Sequence, residues 1–407
     1  MHGGLRGCRV ALALKLGFAM KTVWMYVRHS LVVLLVLGAI AALFGLSQGA
    51  EVYYGETTAA FRAGDEGPHV LWRGDGWVSY TVRGNRDDGY RVEEQYHGSA
   101  GAFPLEVVFP LDQSRFTVQA VPAFTTPPVR YDDGKPIFAI SDIEGNYRSF
   151  RDFLITAGVI DADLNWTFGE GHLVLLGDFV DRGASVTQVL WLIYRLEQHA
   201  KAAGGHVHYI LGNHEIKNLQ GNTQSANRKY LGVTAILGRQ HAELFGDDAF
   251  LGRWLASRNT VEMIDGIVFV HGGLHPQLAG RDWSLDDLNR IVREHYRRPW
   301  YPRADAGADD FLLDPETGPS WYRGYFKDDP TQDQIEKTLK KFNANAVVVG
   351  HTLHWRVHSL YEGRVYAIDV RHPQDHRGSF PPRSAEGLWL EGGKAWRVRE
   401  DGTRVAL

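Results

Sequence analysis

Five short segments carry side chains able to hold metal ions or move protons, and each follows a run of apolar residues. They are Ser141-Asp142-Ile143-Glu144-Gly145-Asn146, Gly177-Asp178-Phe179-Val180-Asp181-Arg182-Gly183, Gly212-Asn213-His214-Glu215, His271-Gly272-Gly273 and Gly350-His351-Thr352. Carboxylates, amide oxygens and imidazoles are ligands of divalent cations. Imidazole is also the side chain best matched to proton transfer near neutral pH. Any one segment alone reads as a turn, a helix cap or a satisfied histidine. Five in order, each at the end of an apolar run, form a constellation. Their glycines let the backbone turn sharply and approach a ligand closely. Carboxylates and imidazoles buried together in one crevice are costly unless a cation pairs with them.

The elements that must position these residues are legible as well. Ile137–Ile140, Leu173–Leu176, Tyr209–Leu211, Ile267–Val270 and Val347–Val349 are uninterrupted apolar runs, which predict strands covered on both faces. Side chains at the carboxyl ends of such neighbouring strands converge on one crevice. Between the runs, Asn146 is placed to cap a helix with Phe150, Phe153, Leu154 and Ala157 on one face, stopped by Gly158. A second stripe, Val186, Val189, Leu190 and Ile193, ends at Gly204-Gly205, and Ser284 with Asp287 forms a capping box before Leu288, Ile291 and Val292. Strands alternating with helices predict an α/β layered domain over 131–407. Residues 51–130 differ: alternating segments such as Trp77–Val82 and turn clusters such as Gly84–Gly89 predict a small antiparallel β-rich accessory module for packing or docking. Thr125-Thr126-Pro127-Pro128 reads as the linker. His206 and His208, at a strand entrance, read as structural, and His372 and His376 as part of a solvated loop.

Composition narrows the function. In 407 residues, 44% are hydrophobic and 23% charged, an ordinary globular balance that excludes a disordered chain. Lysine plus arginine is 44 against 48 acidic residues, a net charge of -4, so no basic surplus supports nucleic-acid binding. The single cysteine, Cys8, excludes a disulfide framework or a cysteine zinc site within one chain. No glycine-rich loop of the nucleotide-binding type is present.

The five segments resemble those of the calcineurin-like metallophosphoesterases of the phosphoprotein-phosphatase type, the bacterial Shewanella-like phosphatases being a close comparison, over about Lys135 to Asp369. The resemblance implies a metallophosphoesterase β-sandwich flanked by helices, with two divalent ions at the strand ends. By motif, Asp142 and His351 ligate the first ion, Asp178 bridges both, and Asn213, His271 and a further histidine hold the second. It implies hydrolysis of phosphate monoesters by direct attack of a metal-bridging hydroxide, with the ions about 3.5–4 Å apart. His214 then protonates the leaving alkoxide and Asp181 orients His214. Arg182 clamps the phosphate, with Asn213 beside the substrate, and Arg323, in Gly318–Gly324, resembles a second phosphate-binding arginine. One position departs from the family: Asp-x-His-Gly is usual, and here the residues are Asp142-Ile143-Glu144-Gly145. As a ligand, Glu144 brings oxygen in place of nitrogen, which shifts preference toward Mn, Mg or Ca and away from Zn or Cu; for the pair of ions the expectation is Mn, with Fe, Zn or Mg as alternatives. The implied substrate is a phosphorylated small molecule or phosphoprotein. Alternatives are a Ser/Thr or Tyr phosphoprotein phosphatase proper, a dinucleoside polyphosphate hydrolase or, outside enzymes, an inactive envelope binding protein. The intact Asp178, Asn213, His214 and Arg182 argue against the last. Substrate choice falls to 218–258 and 281–341.

The N-terminus carries a separate signal. Arg6, Arg9, Lys15, Lys21 and Arg28 precede an uncharged run, Leu31–Leu46, and no acidic residue occurs before Glu51. Residues 1–50 therefore predict an apolar helix, either a signal peptide cleaved near Ser47-Gln48-Gly49 or a membrane anchor with a cytoplasmic N-terminus. Both place the remainder in the periplasm or another extracytoplasmic space. A reporter fused after Leu407 is expected to be exported when the apolar run is intact; full-length protein recovered soluble from cytoplasm refutes this.

Overall fold

The computed structural model describes the backbone of residues 4–305, 307–327 and 330–407. Side chains before 18 lie outside the described residues, and with them the expected basic flank of Arg6, Arg9 and Lys15. The chain divides into two units, 1–54 with 379–381 and 55–378 with 382–407. The first is dominated by the helix Gly4–Ser47. Its stretch Met20–Ser47, 28 residues, is long and apolar enough to cross a membrane, and none of it is buried. At 1.5 Å per residue, 28 residues reach about 42 Å, against a hydrocarbon core of about 30 Å.

The second unit is built on two six-stranded sheets. One has the order His206–Tyr209, His172–Leu175, Ile137–Ile140, Glu386–Glu391, Lys394–Arg399, Arg404–Ala406, with its first three strands parallel. The other runs His358–Leu360, Val365–Ala367, Ala346–Val349, Ile267–Val270, Val261–Ile264, Arg130–Tyr131, and its second to fourth strands are parallel. The apolar runs lack polar alternation because each face of these strands meets a different core. Ile137, Ala139, Val174 and Leu176 of the first sheet meet Phe269 and Val348 of the second in one buried cluster. The alternate residues Phe138, Ile140, Leu173 and Leu175 join Phe150, Phe153, Val189 and Ile193 of the helices Tyr147–Thr156 and Val186–Ala202 in another. This is a β-sandwich with helices outside it.

Two helix starts illustrate what local sequence controls. The Ser284–Asp287 capping box forms as expected, with the Asp287 N–H donating to Ser284 Oγ at 3.1 Å and the Ser284 N–H to Asp287 Oδ2 at 3.0 Å. Asn146 occupies the cap position of Tyr147–Thr156, but its side chain makes no capping bond. That task falls to Asp375, whose carboxylate accepts from the Arg148 and Ser149 N–H groups at 3.1 and 3.3 Å. The same docking corrects the expectation of a solvated loop at His372 and His376, which are 3% and 6% exposed. His206 and His208 lie in a strand; His208 pairs with Glu262 at 2.6 Å and with His172 at 2.8 Å.

The β-rich segment forms a three-stranded antiparallel sheet, Glu66–Arg73, Gly76–Asn85 and Gly89–Gly98, followed by the hairpin Phe103–Val108 and Arg115–Ala120. Its Trp77, Phe103, Leu105, Val107 and Phe116 belong to the same cluster as the helices Tyr147–Thr156 and Val186–Ala202, so the expected boundary near residue 130 divides no core. Polar bonds fasten the two parts together. Trp191 Nε1 donates to the Pro68 carbonyl at 2.9 Å, and Gln188 Nε2 to that of Val108 at 3.0 Å. Lys229 Nζ and Glu66 Oε2 form an ion pair at 2.6 Å, with both side chains 1% exposed or less. Removing one partner of such a pair strands a buried charge, at about 3–5 kcal/mol. Lys229→Met is expected to lower the melting midpoint sharply, and adding Glu66→Gln to recover part of the loss. Equal midpoints for wild type and Lys229→Met would refute the role of this pair.

Candidate active site

The six parallel strands of the two sheets all point their carboxyl ends at one crevice, and the polar segments follow them directly. The turns there are tight: Asp142, Glu144, Asp178, Asp181, Arg182 and His351 all adopt φ between 52° and 67°, a region that costs a residue with a Cβ energy. Such strain persists only where surrounding bonds hold it. Glu215 supplies many of them. Its buried carboxylate accepts from the N–H groups of Asp178 and Phe179 at 2.9 Å each, from that of Gly212 at 2.8 Å and from the Tyr209 hydroxyl at 3.0 Å. Gly177, at φ 83°, has no room for a side chain: a Cβ there would lie 2.7 Å from His271 Nδ1.

His271 sits at the centre. Its Nδ1 donates to the Leu176 carbonyl at 2.6 Å, which orients the ring and leaves Nε2 facing the crevice. Around Nε2 lie Asn213 Oδ1 at 3.2 Å, His351 Nδ1 at 3.2 Å and Asp178 Oδ2 at 3.3 Å. One donor atom each from Asp178, His271 and His351 lies within 4.8 Å of the other two. Four ligand atoms gathered around one point fit a cation, which would take the place of the proton that Asp178 and Asp142 otherwise favour on His271 Nε2. The His351 ring belongs to this group, while its backbone N–H donates to Asp142 Oδ2 at 3.2 Å.

The electrostatics agree. Burial, reinforced by Asp178, pushes Asp142 up to about 6. Burial also works against the Asp178 carboxylate, but His271, His214 and His351 outweigh it and hold Asp178 below the usual range. Burial likewise opposes a charged His271, yet Asp178 and Asp142 push it up to about 10. The donor set carries more negative charge than its own side chains neutralise, which is the profile of a cation site.

Glu144, expected as a ligand, meets a cationic side chain. Its carboxylate forms an ion pair with the Arg182 guanidinium, and it is not among the three converging residues. His214 Nδ1 donates to Asp181 Oδ2 at 2.7 Å, and Asn218 Nδ2 holds the other Asp181 oxygen at 2.9 Å. His214 Nε2 faces the crevice, 3.2 Å from Arg182 Nη2 and 3.9 Å from Asp178 Oδ2. Arg323 donates to the His351 carbonyl, to Thr352 Oγ1 at 3.2 Å and to His351 Nδ1 at 3.3 Å, so it lies at the rim of the same crevice.

Sequence reasoning passed over Asp369, Glu215 and Asn218. Asp369 is 6% exposed and lies two residues beyond Val365–Ala367, a strand paired with Ala346–Val349 so that Ala367 faces Val349. Burial and Asp142 push its carboxyl well above the usual range. The signal was present: Tyr366-Ala367-Ile368 before Asp369 is a sixth apolar run ending in an acid. Glu215 and Asn218 act through backbone and side-chain bonds that no local pattern announces.

Comparison with known proteins agrees with this geometry. Residues 135–354 match the family model of the calcineurin-like phosphoesterases. An uncharacterized protein of Schizosaccharomyces pombe is 30% identical over 243 residues, covering 58% of this chain and 72% of the relative. Shewanella-like protein phosphatase 2 of Arabidopsis thaliana is 26% identical over 206 residues, 40% of this chain and 52% of that protein, so the match spans about half of its length. Among solved structures, a cold-active protein-tyrosine phosphatase of a psychrophilic Shewanella species superposes with a TM-score of 0.72 at 31% identity, covering 84% of this chain and 99% of that one. With residues 135–354 matching the family model and the fold superposing on a solved phosphatase, the chain belongs to the calcineurin-like phosphoesterases, as a metal-dependent hydrolase of the phosphatase type.

Proposed function

We propose that the protein is a two-metal phosphomonoesterase. The observation that carries this reading is the convergence of Asp178, Asn213 and His351 on Nε2 of His271. These four residues would hold one cation; Asp142, with Asp178 shared, would hold the second. Divalent ions bound there would supply an activated water and neutralise phosphoryl charge. The oxygens of Asp142, Asp178 and Asn213 with two imidazoles suit Mn, Fe or Zn.

The chain's own residues supply the rest. Arg182, held by Glu144, and Arg323, held at the His351 loop, present guanidinium groups to the phosphoryl oxygens. His214 in its charged form would keep one proton on Nδ1, donated to Asp181, and offer the other, on Nε2, to the departing alkoxide. Asn218 fixes Asp181 and so fixes the ring. The Shewanella structure bears the name of a protein phosphatase, which makes phosphoproteins the first substrate class to test. The apolar helix supports attachment to a membrane, with the hydrolase on the extracytoplasmic side.

His214→Ala is expected to lower turnover by about 10²–10⁴ on an alkyl phosphate, and by less on an aryl phosphate whose leaving group needs no proton. Metal content, measured by elemental analysis, should stay near that of wild type, whereas Asp178→Asn should deplete both ions. Full activity of His214→Ala on the alkyl ester would refute the assignment. Glu144 gives a further test. If it serves Arg182, Glu144→Ala raises KM for phosphate esters and leaves metal content unchanged. Loss of one metal equivalent in that variant would return Glu144 to the ligand set.

A further inference from the structure

The general acid marks the side of the phosphate site on which the leaving group sits. His214 lies on the helix Asn213–Leu219, and Lys217, three residues further, occupies the same face of that helix. Lys217 lines an open cleft of about 440 Å³, together with Trp321. The Trp321 ring lies 5.2 Å from the Lys217 ammonium and 6.4 Å from the His351 ring. The cleft thus adjoins the crevice of His214 and His351 at Lys217 and Trp321. Its volume far exceeds the needs of a phosphoryl group or a small alcohol and falls in the range of specific ligand sites.

The lining has a definite chemistry. Lys217 and Arg298 bring positive charge, and no aspartate or glutamate lines the cleft among the described residues. No described carboxylate forms an ion pair with either cation. Gln220 and Gln224 offer amides, each both donor and acceptor, which match a peptide backbone. Trp300 is half-buried, and Tyr301, at 72% exposed, stands on the rim as an aromatic contact with nothing packed over it. Unpaired cations beside amides and exposed aromatics attract an acidic polypeptide segment.

We infer that this cleft binds the polypeptide flanking a phosphorylated side chain and selects segments that carry acidic residues, with Lys217 near the scissile bond and Arg298 at the rim as the discriminating cations. The inference rests on the phosphomonoesterase reading above and assigns the recognition that reading leaves open.

The test uses the full-length enzyme in detergent, supplied with Mn²⁺, on four substrates. These are an aryl phosphate, a nucleoside monophosphate and two phosphopeptides identical except for glutamates or lysines around the phosphorylated residue. The acidic peptide is expected to exceed the basic one in kcat/KM by about tenfold or more, chiefly through KM, with the difference shrinking as salt is raised. Arg298→Glu should reverse the preference and Arg298→Lys should retain it; the exposed position of Arg298 makes loss of fold an unsuitable explanation for a reversal. Equal kcat/KM for the two peptides in an enzyme active on the aryl phosphate overturns the cleft assignment and leaves the phosphomonoesterase reading intact. Turnover of the nucleotide above both peptides also overturns it, assigning the aromatics to a base. Inactivity on all four substrates sinks both readings.

Discussion

Asp142, Asp178 and Asp369 are buried beside His271 and His351 at the ends of strands from two different sheets, and that concentration of charge is the constraint on which the rest depends. Water is excluded from most of their surface, so their mutual repulsion is weakly screened and must be balanced by cations. The fold supplies some balance itself. Arg323 lies within reach of the field of Asp369, Asp142 and Asp178, and the N–H groups of the strand exits are turned onto Glu215 and Asp142. The rest has the coordination chemistry of divalent metal ions, which links the site's electrostatics to its catalysis.

The strained backbone of the exits follows from the same requirement. Bringing side chains from six strands to one point demands turns too sharp for the usual β and α regions, and the left-handed φ values cluster there. Glu215 offsets this cost by gathering N–H donors from two exits onto one carboxylate. The helix Asn213–Leu219 then places Asn213, His214 and Lys217 within two turns of one rigid element.

The β-rich segment before the sandwich is part of the same construction. Its aromatic residues complete the core beneath the helix Val186–Ala202, and Glu66 reaches Lys229, which in turn donates to the Ala184 carbonyl next to the Asp181–Gly183 exit. Truncating the chain at the catalytic motif would expose this core and leave Lys229 unpaired.

The sequence by itself determined the elements and the exit residues, because both are local. Apolar runs of three or four residues mark doubly covered strands, and a glycine, acid or histidine within two residues of each marks where the chain leaves the sheet. Asp142, Asp178, Asn213, His214, His271 and His351 were all legible on that basis, and the Ser284 capping box was legible from four residues. The tertiary structure decided which partners those residues meet. Glu144 stands in the ligand motif, yet Arg182, brought alongside by a second strand exit, takes its carboxylate. Asn146 stands at a helix start, yet Asp375, more than two hundred residues away, makes the cap and buries His372 and His376 with it. The accessory segment reads as separate because its alternation is that of a one-sided sheet, while the covering of its apolar side by distant helices leaves no trace in its own residues. Local pattern fixes backbone preference and which side chains are apolar; the identity of the group across a contact is a property of the folded chain alone.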